Sequence, residues 1–208
     1  NAAGIRVMDY LNYNLPSAGR AYGDYPDGNV SGRQEFTLVT PGATNNPAAA
    51  PLNVFINEWL ADNAVTLVDP ADGQFEDWFE LFNPGDQPVD LSGYYLTDTL
   101  TNSTKWLIPA GTFLPAHGYL LVWADSEPGQ NIPGGDLHAD FSLSKSGEAI
   151  GLYGAGGVLI DAVTFGAQTT GVTEGRFPDG SASINDLSSP SPRSANLLTQ
   201  SNTPPTLA

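Results

Sequence analysis

Short runs of alternating apolar and polar residues, each bounded by glycine, proline, asparagine or aspartate, follow one another through residues 53–166. Within residues 77–83, for example, Trp78 and Phe82 alternate with Phe79 and Leu81. A period of two residues is typical of β-strands, because successive side chains point to opposite faces of a sheet. The pattern predicts seven strands: NVFINEWLA (53–61), DWFELFN (77–83), GYYLTD (93–98), KWLIP (105–109), GYLLVWAD (118–125), EAIGLYG (148–154) and VLIDAVTFG (158–166).

This series of strands favours an all-β fold. No segment has convincing helical periodicity, and the 23 glycines and 17 prolines suit many turns. Short strands at this spacing predict a sandwich or a barrel. The four tryptophans lie in four different predicted strands, so we expect them to anchor one shared core. A sugar-stacking surface is the alternative role for any one of them.

Charge and composition narrow the classes of partner. Seven lysines and arginines stand against 23 aspartates and glutamates, which gives a net charge of −16. Such a surface repels phosphate backbones and anionic lipids, so we expect neither nucleic acid nor a membrane as a partner. The chain has no cysteine, which excludes disulfides, thiolate zinc sites and a cysteine nucleophile. No stretch is apolar enough to cross a bilayer.

A repeat connects the two ends of the chain. Residues 7–28 align without a gap on residues 159–180, and TPGATN (40–45) aligns on SPRSAN (191–196). Glycine and proline shared at fixed spacing indicate shared backbone turns. The identical pairs in the first block are Asp9 and Asp161, Gly19 and Gly171, Gly23 and Gly175, Pro26 and Pro178, Asp27 and Asp179, and Gly28 and Gly180.

The repeat predicts the organisation of the chain. Residues 1–45 would be the closing strands of an incomplete module, and residues 53–196 a complete one. Residues 46–52 and 197–208 are rich in small residues, threonine or proline, so they are predicted to be linkers.

Seven motifs of the second module carry a family resemblance: INEWLA (56–61), DWFELFNPG (77–85), VDLSGYYLTD (89–98), KWLIPAGTFLPAHGYLLV (105–122), FSLSKSGEAIGLYGAGGVLIDAVTFG (141–166), GRFPDG (175–180) and SPRSAN (191–196). In this order and spacing they resemble the lamin tail domain, in the version found in bacterial secreted proteins. The resemblance implies an immunoglobulin-like β-sandwich of about seven to nine strands, preceded here by an extra N-terminal β segment, and no catalysis. Arg193 departs from the family pattern, which usually has glycine there; Gly42 of the first copy keeps it.

One acidic loop is a candidate metal site. Asp69, Asp72, Glu76 and Asp77 lie together in the sequence DPADGQFED. Clustered carboxylates repel one another unless they are solvated or bridged by a hard cation, and Ca²⁺ takes six to eight oxygen ligands. The spacing is not that of an EF-hand, so a solvated turn with the Asp-Gly pair at its bend is the alternative. Calcium is the one cofactor that the sequence suggests.

The sequence offers no convincing set of catalytic residues. His117 and His138, the only histidines, are expected in turns or at the surface. Glu58 and Glu80 lie within predicted strands and could face each other across a sheet, but we expect solvent exposure or backbone capping rather than an acid/base pair. The sequence contains no nucleophile elbow and no phosphate loop, so we do not expect an enzyme.

These observations predict a non-catalytic structural or adhesive module of a larger bacterial surface or secreted protein. The strands of residues 1–45 would expose unpaired backbone groups and an apolar face, so they should pair with protein. The partner would be another copy, which builds a filament, or a neighbouring module; folding back on the chain's own domain is the alternative. The candidate interaction residues are Val7, Asp9, Leu11, Tyr13, Tyr25 and Phe36.

A second hypothesis makes the chain an accessory module of a secreted hydrolase. Such a module would bind carbohydrate, calcium or another protein.

Overall fold

The structure is a computed structural model and describes residues 21–36, 42, 44–45, 52–154 and 157–198. The chain divides into two compact units, residues 1–52 and 53–208. Apart from one 3₁₀ turn, Pro128–Gln130, the described elements are strands. In chain order they are β1 (Ala21–Asp24), β2 (Arg33–Phe36), β3 (Phe55–Leu60), β4 (Trp78–Phe82), β5 (Val89–Asp90), β6 (Tyr95–Thr97), β7 (Trp106–Leu107), β8 (Phe113–Leu114), β9 (Tyr119–Trp123), β10 (Leu137–His138), β11 (Glu148–Gly154), β12 (Val158–Phe165), β13 (Glu174–Arg176) and β14 (Ile184–Asp186).

The second unit is an immunoglobulin-like β-sandwich, as the sequence predicted. One sheet has six strands in the order β10-β9-β4-β3-β13-β14, and the other has four in the order β12-β11-β6-β7. A small ribbon of β5 and β8 lies outside both sheets. All pairs are antiparallel except β9 with β10. Each of the seven predicted strands contains an observed one.

The core is built from the inward faces of these sheets. Trp59, Trp78 and Trp123 are fully buried and Trp106 nearly so, which is the core role expected of them. Trp59 of β3 packs against Phe165 of β12 with ring centroids 6.0 Å apart, so it links the two sheets. All five residues of β4 are buried, because this strand lies between β3 and β9 in the six-stranded sheet.

Strand β3 departs from the predicted alternation at Asn57. The register with β4 pairs Ile56 with Leu81 and Glu58 with Glu80, so Asn57 is an extra residue in a β-bulge. A bulge re-aims one side chain and increases the local twist. Asn57 is fully buried, and its contacts with the closing part of the domain follow below.

The described part of the first unit is one antiparallel hairpin. Strands β1 and β2 pair from Ala21 with Phe36 to Asp24 with Arg33. Phe36 is 2% exposed, whereas Tyr25 at the turn is 40% exposed. The other candidate interaction residues, Val7, Asp9, Leu11 and Tyr13, lie outside the described residues. The predicted division into an incomplete module, two linkers and a complete module stays a prediction.

Candidate functional sites: two closing hairpins and an acidic cluster

The hairpin of β13 and β14 closes the second unit with a turn that contains FPDG. Phe177 N–H donates to Ser183 O at 3.0 Å, and Ser181 N–H donates to Pro178 O at 3.0 Å. The Phe177–Pro178 peptide bond is cis, and Gly180 has φ of 69°. Since L-residues rarely adopt such a φ, glycine is favoured there.

The hairpin of β1 and β2 begins its turn in the same way. Tyr25 N–H donates to Gly32 O at 3.0 Å, and Asn29 N–H donates to Pro26 O at 2.9 Å. The Tyr25–Pro26 peptide bond is cis, and Gly28 has φ of 78°. In both units the letters PDG therefore produce the same backbone hydrogen bond to the proline carbonyl, although the turn of the first unit is one residue longer.

An asparagine braces each turn from a later segment. Asn196 donates through N–H to Asp179 Oδ1 at 3.0 Å and through Nδ2 to Arg176 O at 2.8 Å. Asn45 makes the equivalent bonds to Asp27 Oδ1 at 2.9 Å and to Asp24 O at 3.0 Å. The second repeat block, TPGATN on SPRSAN, thus has a structural meaning: it positions the bracing asparagine.

In the second unit this assembly is a socket for strand β3. Asn57 Nδ2 donates to Asp179 Oδ1 at 3.1 Å, and Gly180 N–H donates to Asn57 Oδ1 at 3.0 Å. The Asn196 side chain donates to Asn57 O at 3.0 Å. Arg176 Nε donates to Ile56 O at 2.9 Å. Four hydrogen bonds therefore fix the bulged segment of β3 in the closing turn.

A buried ion pair completes the socket. Arg176 Nη2 lies 2.9 Å from Asp161 Oδ1, and Asp161 Oδ2 accepts a hydrogen bond from Ile56 N–H at 2.8 Å. Their side chains are only 8% and 14% exposed. At the position of Arg176 the first unit has Asp24, which pairs with Arg33 of β2 at 2.7 Å. The two closing hairpins share the start of their turn and the bracing asparagine, but not this pair.

Glu58 and Glu80 do face each other, directly opposite on β3 and β4. Both are fully buried. Glu58 accepts hydrogen bonds from Ser191 N–H and Oγ at 3.0 and 2.9 Å, and Glu80 accepts one from Arg193 N–H. The two carboxyl groups therefore cap the backbone of the closing segment, which is a structural role.

Burial sets the protonation of this pair. Loss of hydration raises the pKa of Glu80 to about 9, and the nearby Glu58 carboxyl adds to the rise. Burial also raises the pKa of Glu58, although the Ser191 N–H favours the carboxylate. Glu80 is consequently protonated near neutral pH.

The predicted acidic loop is a compact turn between β3 and β4. Gly73 N–H donates to Asp69 O at 2.8 Å, and Gly73 has φ of 84°. Asp69 Oδ1 accepts a hydrogen bond from Ala71 N–H, and Asp72 Oδ1 accepts one from Gln74 N–H, each at 2.8 Å. The bend therefore lies at the Asp-Gly pair, as expected of a turn.

The structure brings three of the four predicted carboxylates together. Oxygens of Asp69, Asp72 and Glu76 lie within 4.8 Å of one another. Asp77 is not in this group; its Oδ1 accepts a hydrogen bond from Asn63 N–H at 3.0 Å. The first three residues are consequently candidate cation ligands, whereas Asp77 braces the start of the loop.

Residues that the sequence did not indicate join this group. Asp69, Asp125 and His138 form a second set within 4.8 Å, and Glu76, Asp125 and Glu127 form a third. His138 was expected at the surface or in a turn, but it lies in β10 and is 4% exposed. His117 is exposed, with φ of 51°, and lies 2.9 Å from Asp86.

The carboxylates of this cluster affect one another. Burial raises the pKa of Glu76 to about 7, and the negative charges of Asp125 and Asp72 raise it further. His138 Nδ1 lies 2.6 Å from Asp125 Oδ2 and 3.5 Å from Asp69 Oδ2. The site is thus a concentration of negative charge that runs from the buried Asp69 to the exposed Asp72 and Glu127, with the buried imidazole of His138 beside it.

The family of the chain follows from a comparison with protein-family models. The model described as the Lamin Tail Domain matches residues 47–167, which is more than half of the chain. The chain belongs to the lamin tail domain family. The match covers most strands of the sandwich, from β3 to β12. A comparison with curated proteins finds no match.

Membership supports the coarse part of the functional prediction. Lamin tail domains are immunoglobulin-like protein-interaction modules, and this fold is typically non-catalytic. In the part of the chain that the structure describes, no helix has the length and apolar character needed to cross a membrane.

Proposed function

We propose that this lamin tail domain protein is a non-catalytic interaction module of a secreted or cell-surface bacterial protein. Its first unit binds an extended strand from a neighbouring module or from a second copy. The observation that carries the proposal is the shared turn and brace of the two closing hairpins, since in the second unit the same constellation holds a strand.

The closing turn of the second unit recognises a particular side chain of the strand that it holds. Asp179, Gly180 and Asn196 together contact one asparagine in a bulged strand. The first unit retains these three residue types as Asp27, Gly28 and Asn45. Strand addition gains affinity from backbone hydrogen bonds and specificity from a side chain held in a pocket. We therefore expect the partner strand to carry asparagine at the position of Asn57.

A labelled peptide of residues 53–63 tests this recognition in the full chain. We expect saturable binding by fluorescence anisotropy, and no binding to a chain of residues 53–208 alone. The same peptide with Asn57→Ala should bind about tenfold or more weakly, because two hydrogen bonds of about 1 kcal/mol each are lost. Equal affinity of the two peptides would contradict the proposal.

Self-association is a separate arm of the test. Light scattering at rising concentration should show growth of the full chain but not of residues 53–208. Particle sizes that match at equal concentration would rule out assembly through the first unit, and binding of the peptide would then assign a neighbouring module as the partner.

A further inference from the structure

Two segments far apart in sequence meet at one end of the sandwich. Strand β4 begins at Trp78, which pairs with Trp123 at the end of β9. The acidic loop before β4 therefore lies beside the segment that follows β9. That antiparallel pairing is the reason why Asp125 and Glu127 approach Asp69 and Glu76.

One side chain of this cluster points to a ligand. Asp69 is fully buried, with 0% exposure, and among the described residues its Oδ2 has no hydrogen-bond partner. Oδ2 lies 3.5 Å from His138 Nδ1, which itself contacts Asp125, so it is directed into the cluster. Glu76 Oε2 is likewise buried without a partner in the described part of the chain. Buried carboxylate oxygens cost free energy unless hydrogen bonds or a cation compensate them.

The lysine and arginine ion pairs that the structure records in the sandwich do not reach these carboxylates. These pairs are Lys105 with Asp98, Arg176 with Asp161, and Arg193 with Asp136.

We propose that Asp69, Asp72, Glu76, Asp125 and Glu127 form a Ca²⁺-binding site that ties the loop before β4 to the segment after β9. Five carboxylates supply the hard oxygen ligands that Ca²⁺ prefers, and its flexible coordination suits ligands from two loops. His138 is a positioning residue: its Nδ1 holds Asp125 Oδ2 at 2.6 Å, which orients that carboxylate toward the others.

Calorimetry and thermal melting of the full chain test this site with CaCl₂ alone, after treatment with chelator. We expect about one Ca²⁺ per chain, with a dissociation constant at or below the range of about 10⁻⁴–10⁻³ M typical of extracellular modules. Ca²⁺ at about 5 mM should raise the Tm of the second unit by about 3–6 °C. No binding heat and no change in Tm would overturn the proposal.

Two isosteric variants separate binding from folding. Glu76→Gln and Asp125→Asn should each lower Ca²⁺ affinity at least tenfold. In chelator, Glu76→Gln should melt at or above the temperature of the unchanged chain, because it removes a repelling carboxylate. Asp86→Asn removes one exposed negative charge outside the cluster and should keep the full Ca²⁺ response.

The choice of ion is tested as well. Mg²⁺ should raise the Tm less than Ca²⁺ does, since Mg²⁺ requires near-octahedral geometry. A shift with Zn²⁺ but none with Ca²⁺ would overturn the oxygen-ligand site in favour of one centred on His138. Unchanged Ca²⁺ affinity in both isosteric variants would overturn it too. The peptide experiment above does not involve these residues, so either proposal can fail alone.

Discussion

The closing hairpins of the two units begin their turns alike, but the described residues that surround them differ. In the second unit, Gly175 lies against strand β3, so that a Cβ atom built there would be 2.8 Å from Asn57 O. In the first unit, a Cβ atom at Gly23 would meet the Asn45 side chain at 2.9 Å and the Phe36 ring at 3.5 Å. In the second unit, strand β3 comes from a distant part of the chain and pairs with this hairpin.

The difference separates the residues that form the turn from those that contact strand β3. Positions that the two hairpins share, such as Asp27 and Asp179, make the turn and its brace. Arg176 contacts the docked strand and is replaced by Asp24 in the first hairpin. Substitutions at equivalent positions therefore test the comparison directly. All four tryptophans are in the second unit, so their fluorescence reports its unfolding alone.

The largest expected effect is that of Arg176→Ala. It would leave Asp161 without its ion-pair partner at a site that is 14% exposed, and it would remove the hydrogen bond to Ile56 O. We expect the second unit to lose about 3–5 kcal/mol of unfolding free energy in urea. Arg33→Ala, the matched change in the first hairpin, should leave the tryptophan transition within about 0.5 kcal/mol. A loss from Arg176→Ala no larger than that from Arg33→Ala would show that the Arg176 ion pair does not hold strand β3.

The next effect is a dependence on pH that arises in the second unit. Burial raises the folded-state pKa of Glu80 to about 9, from an ordinary value of 4.5. The folded state therefore holds a proton that the unfolded state releases between these pH values. The contribution of Glu80 to the free energy of unfolding is therefore greatest below about pH 4.5. It falls as the pH rises from there, and it is lost once the pH has passed about 9.

Glu80→Gln removes that dependence. Between about pH 6 and 8.5 the free energy of unfolding of the unchanged chain should fall by up to about 3 kcal/mol more than that of the variant. Urea unfolding at each pH measures both values. Glu35→Gln, at an exposed position of the first hairpin, is the control and should keep the pH dependence. Parallel profiles for the Glu80 variant and the unchanged chain would show that Glu80 is ionised in the folded domain.

A third pair of substitutions tests the docked strand itself. Gly175→Ala should destabilise the second unit by about 1–3 kcal/mol, because the new methyl group would press on a backbone oxygen and on Leu187. Gly23→Ala should leave tryptophan unfolding unchanged. It should nevertheless abolish binding of the peptide of residues 53–63, since that peptide would dock where the methyl group lies. Full binding by the Gly23 variant would count against strand addition.

The smallest effect is expected at Arg193, the departure from the family pattern. Its φ is 64°, and Gly42 at the matching position of the first unit has φ of 75°. Arg193→Gly would stabilise the fold by relieving about 1 kcal/mol of backbone strain. It would also destabilise the fold, because glycine makes the unfolded chain more flexible and because the half-exposed ion pair with Asp136 is lost. We expect a net change within about 1 kcal/mol by urea unfolding. A larger loss would show that the pair with Asp136 holds the closing segment.

Much of the fold could be predicted from alternation and turn residues. The seven predicted strands are those that contain a run of apolar residues. The missed ones, such as Val89–Asp90 and Leu137–His138, have two or three residues and lie outside such runs, so no period is visible. The bulge at Asn57 was missed for a related reason, because an inserted residue in a short strand leaves no distinct pattern.

The acidic cluster was predictable only in part. Asp69, Asp72 and Glu76 are close in the sequence, so their spacing indicated a shared loop. Asp125 and His138 are distant from them, and alternation does not reveal which strand pairs with which. Only the pairing of β4 with β9 brings these side chains together.

The sequence by itself determined the local structures of this protein, namely the longer strands and the two PDG turns, and also the family to which it belongs. These follow from backbone preferences and from the period of apolar residues, which act over a few neighbouring positions. The tertiary structure decided which groups are buried together, including Glu58 opposite Glu80 and Asn57 in its socket. The physical reason is that burial and shifted pKa values depend on strand pairing between distant segments, which a local pattern does not contain.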